Sequence, residues 1–297
     1  MSQYICVDIG GTSIKHGVLD ENAIIKECNQ TKTEAWLGGA AGLDKVKTIG
    51  KQYKEQYENI EGICISTAGM VDPEEGKIVF AGELMPDYTG TCIKKELEKA
   101  LEMPCEVEND VNCAGLAEYV SGSAKESHIM FCATVGTGIG GCAIVNGRVF
   151  HGASNSACEV GYIPMGDSDF QTLGASSILV RKVAEKKIEP LDMWDGKKIF
   201  ALAEKGDKVC ISAIKEMCDV LGKGLATICY VLNPDTIVLG GGIMVQKKNL
   251  ENEIRDSLNR YLRPILAEHL QVCFAEYGNE AGMVGALYNF QNKYGRK

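Results

Sequence analysis

Hydrophobic positions come in short runs punctuated by glycine turns. Tyr4-Ile5-Cys6-Val7 predicts a buried strand, Gly10-Gly11 a turn, and Ile14 to Leu19 a second strand. Ile24 to Cys28 continues as a third, antiparallel strand. Leu43, Val46 and Ile49 lie at helical spacing within a helix expected from about Gly39 to Tyr57. Ile63-Cys64-Ile65-Ser66 reads as a short buried strand opening into Thr67-Ala68-Gly69. Asp72-Pro73-Glu74-Glu75-Gly76 is a turn, with a strand from Lys77 to Phe80 after it. Ile93, Leu97 and Leu101 stripe a helix from Thr91 to Leu101. The strand Cys105-Glu106-Val107-Glu108 ends at Asn109-Asp110, and a helix follows from Val111 to about Val120.

The second half repeats this plan on a larger scale. The apolar run Ile129 to Cys132 leads into Ala133-Thr134-Val135-Gly136-Thr137-Gly138-Ile139-Gly140-Gly141, then a β-like segment from Cys142 to Val145 with a turn at Asn146-Gly147. A polar loop spans His151 to Gly166. Helices are expected at about Gly174–Lys186, Trp194–Ala203 and Asp207–Leu232, the last bounded by Asn233-Pro234. The strand Asp235 to Leu239 closes on Gly240-Gly241-Gly242, and a helix lies around Leu250–Leu262. Gln271 to Ala275 is a final strand, and Ala281 to Phe290 a final helix. Strands alternating with helices predict an α/β fold, with a boundary between lobes near Ser121-Gly122-Ser123.

Several of these turns can carry chemistry. Adjacent Gly10 and Gly11 let the backbone approach a ligand closely. Turn amides, the Thr12 hydroxyl and the Lys15 cation would make a phosphate cradle; an ordinary hairpin turn explains that stretch alone equally well. A second strand–Gly/Thr–strand unit, with Thr134, Gly136, Thr137 and Gly138, points to a duplicated scaffold whose two turns face a shared cleft and meet a triphosphate there. Gly69 lies beyond the carboxyl end of a strand, where α/β sheets bind ligands. In Glu108-Asn109-Asp110-Val111-Asn112, Asp110 is either a helix N-cap or first-turn residue, or a general base for a hydroxyl nucleophile, with Asn109 bonding the same ligand. Glu159 is either a solvated loop carboxylate or an acceptor for sugar hydroxyls, with Tyr162 stacking or donating nearby. Gly240-Gly241-Gly242 is a plain turn or the place where an adenine ring meets backbone. His16, His128 and His269 fit no ligand pattern.

Composition narrows the classes. The 297 residues, 45% hydrophobic and 24% charged, describe an ordinary globular chain with a substantial core. A net charge of −9 argues against a nucleic-acid surface. No apolar stretch approaches the ~20 residues of a membrane span, and no signal peptide or DNA-binding extension precedes Tyr4, so a cytoplasmic location is expected. The 13 cysteines are scattered singly, mostly within apolar runs, and read as small core hydrophobes in a reducing compartment.

Taken together, the turn at Asp8–Lys15, Glu108-Asn109-Asp110-Val111-Asn112, the glycine-rich stretch at Thr134–Gly141, Asn146-Gly147-Arg148, Glu159-Val160-Gly161 and Leu239-Gly240-Gly241-Gly242 resemble the ROK family (repressors, open reading frames, kinases) across essentially the whole chain. The resemblance implies the two-lobed actin/hexokinase-like (ribonuclease H-like) ATPase fold with a duplicated core. It places residues 1–120, completed by the C-terminal helix 281–297, in one α/β lobe and 121–280 in a larger one, with ATP and sugar in the cleft between. It also implies a phosphotransferase with an alcohol acceptor, a homodimer that moves the γ-phosphoryl group of ATP, with Mg2+, to a sugar hydroxyl. Asp110 would be the base; Gly69, Asn109, Asp110 and Glu159 would line the sugar. Asp8, Gly10, Gly11, Thr12, Lys15, Thr134, Gly136, Thr137 and Gly138 would face the phosphates, and Gly240, Gly241 and Gly242 the adenosine. Asp8 would orient magnesium through water.

Two departures bear on specificity. Many relatives carry zinc on a His after Glu-x-Gly and a Cys cluster; here the His position is Tyr162, the segment 163–171 has no cysteine, and no structural zinc is expected. Gln171 stands where the family has a sugar-contacting Glu, and Glu83 where relatives often have Asn. These changes resemble the β-glucoside kinases, so the 6-hydroxyl of a hexose or β-glucoside is the expected acceptor. N-acetylmannosamine and fructose remain open, as does a non-catalytic sugar sensor.

Overall fold

The computed structural model describes residues 2–295 and divides into two compact units. The first takes the chain up to Gly122, returns for His151–Ala157, and resumes from Asn279 onward; the second holds Ser123–Phe150 and Cys158–Gly278.

In chain order the first unit contains β1 (Gln3–Ile9), β2 (Ser13–Asp20), β3 (Ile25–Lys32), α1 (Gly38–Gln56) and β4 (Ile60–Thr67). The hairpin β5 (Met70–Asp72) and β6 (Lys77–Phe80), then α2 (Ile93–Leu101), β7 (Cys105–Asn109) and α3 (Asp110–Val120) follow. One sheet has the order β3-β2-β1-β4-β7, antiparallel on the β3 side of β1 and parallel on the β4 side. Val7, Ile14, Ile63, Ile65 and Val107 bury one core with Val46 and Ile49 of α1 and Ile93 and Leu97 of α2. Parallel strands buried on both faces need apolar runs without alternation, which is what β4 supplies.

The second unit contains β8 (Ile129–Val135), β9 (Ile139–Val145) and β10 (Arg148–Val149). It continues through the small pair β11 (Pro164–Met165) and β12 (Ser168–Asp169), α4 (Phe170–Gly174), α5 (Ser176–Lys187), α6 (Gly196–Glu204) and α7 (Lys208–Leu232). β13 (Thr236–Gly240), α8 (Lys247–Tyr261), the short α9 (Pro264–Ala267) and β14 (Gln271–Phe274) complete it. Its sheet runs β10-β9-β8-β13-β14 with the same split between antiparallel and parallel pairs. In α7, Asp207 caps the start by accepting from Val209 N and Cys210 N at 3.0 Å, and Asn233 at φ 49° ends the helix before Pro234. Ile214, Cys218, Leu221, Leu225 and Ile228 make its buried stripe.

The last helix, α10 (Ala281–Tyr294), belongs to the first unit and packs on α3, β1 and β4. One expected element is corrected. The single helix at Gly174–Lys186 is two, broken at Ala175, whose φ −68° and ψ 155° are extended. The break lets Ser176 turn its N–H onto Gly136 O at 3.0 Å. Helix starts also shift by one to three residues, since capping chemistry, not apolar spacing, sets them. Among the described residues no helix is long and apolar enough to cross a membrane.

Candidate functional site

In the first unit, strand register delivers the site residues to one edge of the sheet. Asp8, near the C-terminal end of β1, sits opposite Lys15 of β2 and beside Ser66 of β4; Thr67 pairs with Asn109 of β7. The Asp8 carboxylate accepts from Ser66 Oγ at 2.7 Å, and Lys15 Nζ stands 3.9 Å away while donating to Asn279 O at 3.1 Å. Burial pushes the Asp8 carboxyl up, against the opposing pull of Ser66 and Lys15. The Gly10–Thr12 turn is braced from behind. Thr33 Oγ1 donates to Gly10 O at 2.6 Å, and Thr33 N donates to Thr12 O at 3.1 Å.

At the end of β7 the capping question resolves in favour of Asn109. Its side-chain oxygen accepts from Val111 N at 2.9 Å and Asn112 N at 3.1 Å, which makes it the N-cap of α3 and Asp110 the first helical residue. The Asn109 amide donates to Gly69 O at 2.9 Å and to Asp110 Oδ1 at 3.0 Å. Gly69 holds φ +99°, and a side chain there would press on Phe80 O, so glycine is what allows that carbonyl to reach Asn109. Asp110 Oδ1 accepts from its neighbour Val111 N at 2.9 Å. Burial first, and the charge of Asp8 second, push the Asp110 carboxyl up to about 7. The fold therefore brings Asp8, Gly69, Asn109 and Asp110 into one electrostatic neighbourhood.

In the second unit, Thr134 pairs with Gly240 of β13 and Val135 with Ile139. The turn between closes through Gly136 N donating to Gly138 O at 2.9 Å. Gly241 holds φ +94°, and a Cβ there would overlap the backbone of Val135; the Gly240–Gly242 turn and the Thr134–Gly138 turn are thus neighbours. Gln171 Oε1 lies 2.7 Å from where a Cβ on Gly138 would stand and 2.9 Å from one on Gly161, which puts its amide between the Thr134–Gly138 turn and the Glu159–Gly161 segment. Tyr162 is 58% exposed, and the Glu159 carboxylate is also exposed.

Three features escape a reading of the sequence. Ser176 Oγ and Ser177 Oγ, at the start of α5, donate to Gly136 O and Thr137 O, both at 2.7 Å, and so brace that turn. Gly282 of α10 faces the Asp8 carboxylate, where a Cβ would sit 2.6 Å from Asp8 Cγ, while Gly285 meets Cys113 O. The pair of glycines three apart inside a helical pattern was the available signal. His151 bonds Glu108, directly before Asn109, and no spacing rule links those positions.

Comparison with known proteins assigns this geometry a setting. A model described as the ROK family matches residues 4–293. An uncharacterized protein of Clostridium perfringens is 44% identical over 297 residues, covering 100% of both chains. A β-glucoside kinase of Klebsiella pneumoniae is 30% identical, covering 97% of this chain and 95% of its own. Among solved structures, a ROK glucokinase of Streptomyces griseus in complex with glucose and AMPPNP superposes with a TM-score of 0.83 at 28% identity, covering 97% of this chain and 98% of its own. The two sheets of five strands are those of the actin-like/hexokinase fold.

Proposed function

The chain belongs to the ROK family, and from that premise we propose that it is an ATP-dependent sugar kinase in which Asp110 takes the proton of the acceptor hydroxyl. The observation that carries the reading is the junction at the head of α3, where Asn109 ties Asp110 Oδ1 to Gly69 O, with burial and the charge of Asp8 pushing the Asp110 carboxyl up to about 7. A base poised near the working pH combines enough ionised form with enough proton affinity. As the hydroxyl oxygen bonds the γ-phosphorus, its proton passes to Asp110 and the bond to the β-phosphate oxygen breaks, releasing ADP and the sugar phosphate. Most of the catalysis is positioning.

Asn109 and Gly69 are the proposed sugar contacts in the first unit, and Glu159, Tyr162 and Gln171 those in the second. Gly10, Gly11, Thr12 and Lys15, and separately Thr134, Gly136, Thr137 and Gly138, are the proposed phosphate contacts, with Gly240–Gly242 for adenosine. Magnesium fits Asp8. A hard cation that keeps most of its waters needs one or two carboxylates plus phosphate oxygens. Asp8 offers a carboxylate under-compensated by one hydroxyl and one ammonium at 3.9 Å. When bound, the ion would neutralise charge on the transferring phosphoryl group.

We place the acceptor among hexoses and β-glucosides, in line with the relatives' names, and the oligomer as a homodimer. A coupled ADP-release assay with glucose, cellobiose, gentiobiose, N-acetylmannosamine, mannose and fructose tests the reading. β-Glucoside preference supports a sugar pocket open beyond one ring, and monosaccharide preference supports a closed one. No sugar-dependent turnover would sink the kinase and leave the sensor.

A further inference from the structure

Glu108 is the most enclosed carboxylate beside the proposed base, with 0% of its side chain exposed. A carboxyl group at such depth requires directed partners for both oxygens. Oε1 accepts from Asn109 N at 2.8 Å and from Asn112 Nδ2 at 2.9 Å. Oε2 takes His151 Nε2 at 2.7 Å. Through Oε1 the carboxylate grips the backbone and the first turn that carry Asn109 and Asp110. Asn109 in turn bonds both Gly69 O and Asp110 Oδ1. His151 is therefore two hydrogen bonds from Asn109 and three from the proposed base.

The location of His151 strengthens the point. The chain leaves the second unit at Phe150 and re-enters it at Cys158, and the seven residues between belong to the first. Within them Ala157 N donates to His151 O at 3.1 Å, closing the segment into a loop held by the Glu108 bond. The charged groups facing the imidazole are all acidic: Glu108 of β7 in contact, with Asp72 and Glu74 of the β5–β6 turn at longer range. Glu74 is itself paired with Lys293 of α10 at 2.6 Å. The Glu108 bond, opposed by partial burial, holds the imidazole pKa above its ordinary value.

We propose that His151 is a positioning residue for the kinase reaction: bonded to buried Glu108, it fixes the Asn109–Asp110 junction in the geometry that receives the acceptor hydroxyl. The inference rests on the kinase reading, with Asp110 as base. A neutral side chain lacking a donor would leave Glu108 Oε2 buried and unpaired, and the carboxylate would relieve that by turning away from Asn109 N and Asn112.

The test uses the full chain with its best sugar from the panel, in three forms: parent, His151→Ala and His151→Gln. Sugar-dependent ADP release is followed against sugar and ATP concentration, and thermal unfolding confirms that each variant folds. His151→Ala should lower kcat between about tenfold and a hundredfold, the scale of a small misplacement of reacting groups, with KM for ATP unchanged. His151→Gln, which keeps an N–H donor, should recover most of the rate. A folded His151→Ala with kcat within twofold of the parent overturns the proposal, as does a folded His151→Gln no faster than His151→Ala. Inactivity of the parent with every sugar is a separate result that refutes the kinase reading. The Asn109 side-chain amide resonances then decide the remainder: displaced in His151→Ala, they uphold the positioning of the junction, and unmoved, they overturn it.

Discussion

Comparing the two five-stranded sheets position by position isolates what each contributes. In the first, the turn is closed by Ile9 opposite Ile14; one step back, Asp8 faces Lys15 on one side and Ser66 on the other. In the second, Val135 opposite Ile139 closes the turn, and one step back Thr134 faces Gly140 and Gly240. A carboxylate with an ammonium thus occupies the place that a hydroxyl flanked by glycines occupies in the other sheet. Past the next parallel strand, the chain turns in both sheets on a glycine at positive φ, Gly69 at +99° and Gly241 at +94°. The backbone device is shared and the charge is not. Under the proposed function, the first sheet would serve proton and metal chemistry and the second would present backbone amides to the nucleotide.

That contrast can be broken by substitution. Asp110→Asn should cut kcat by about 10³-fold, within the usual range for a lost general base, and leave KM for ATP alone. A loss confined to KM would erase the distinction between the sheets. In the parent, kcat should fall tenfold per pH unit below an apparent pKa near 7, as Asp110 takes up its proton. Because the folded chain holds that proton more tightly than the unfolded one, this group's contribution to stability is present below pH 3.8 and is lost as pH rises to about 7. Urea unfolding should show that slope in the parent and not in Asp110→Asn.

In the second sheet the expected losses are smaller and fall on nucleotide binding. Gly241→Ala forces a side chain onto the Val135 backbone at positive φ, costing about 1–3 kcal/mol in urea unfolding and raising KM for ATP. An unchanged KM would remove this turn from the nucleotide site. Ser176→Ala removes one donor from Gly136 O, whose second donor, Ser176 N, remains. About 1 kcal/mol of stability and a few-fold rise in KM for ATP are expected, with kcat unaffected.

Much of this was legible from residue order. Apolar runs of strand length ending on glycine declare strands that carry turns, and Asp207 with Asn233-Pro234 declares both ends of α7, because these signals act within a few residues. Duplication of the scaffold was visible in the repeated strand–Gly/Thr–strand unit. The break at Ala175 was not legible, since the bond that accompanies it joins Ser176 to Gly136, 40 residues earlier. Nor could Asn109 be preferred to Asp110 as the cap, because both residue types serve and only the chain's path from β7 selects one.

What the sequence determined by itself, then, was local: element types, turn glycines, and the identities of the polar groups at strand ends. What tertiary structure alone decided was how those groups act on one another. Asp8 raises Asp110 because parallel strands from distant parts of the chain end side by side, and the second oxygen of buried Glu108 has a partner because His151 returns to it from a loop 43 residues on. Electrostatic coupling depends on separation in space and on exclusion of water, and neither quantity is written in residue order.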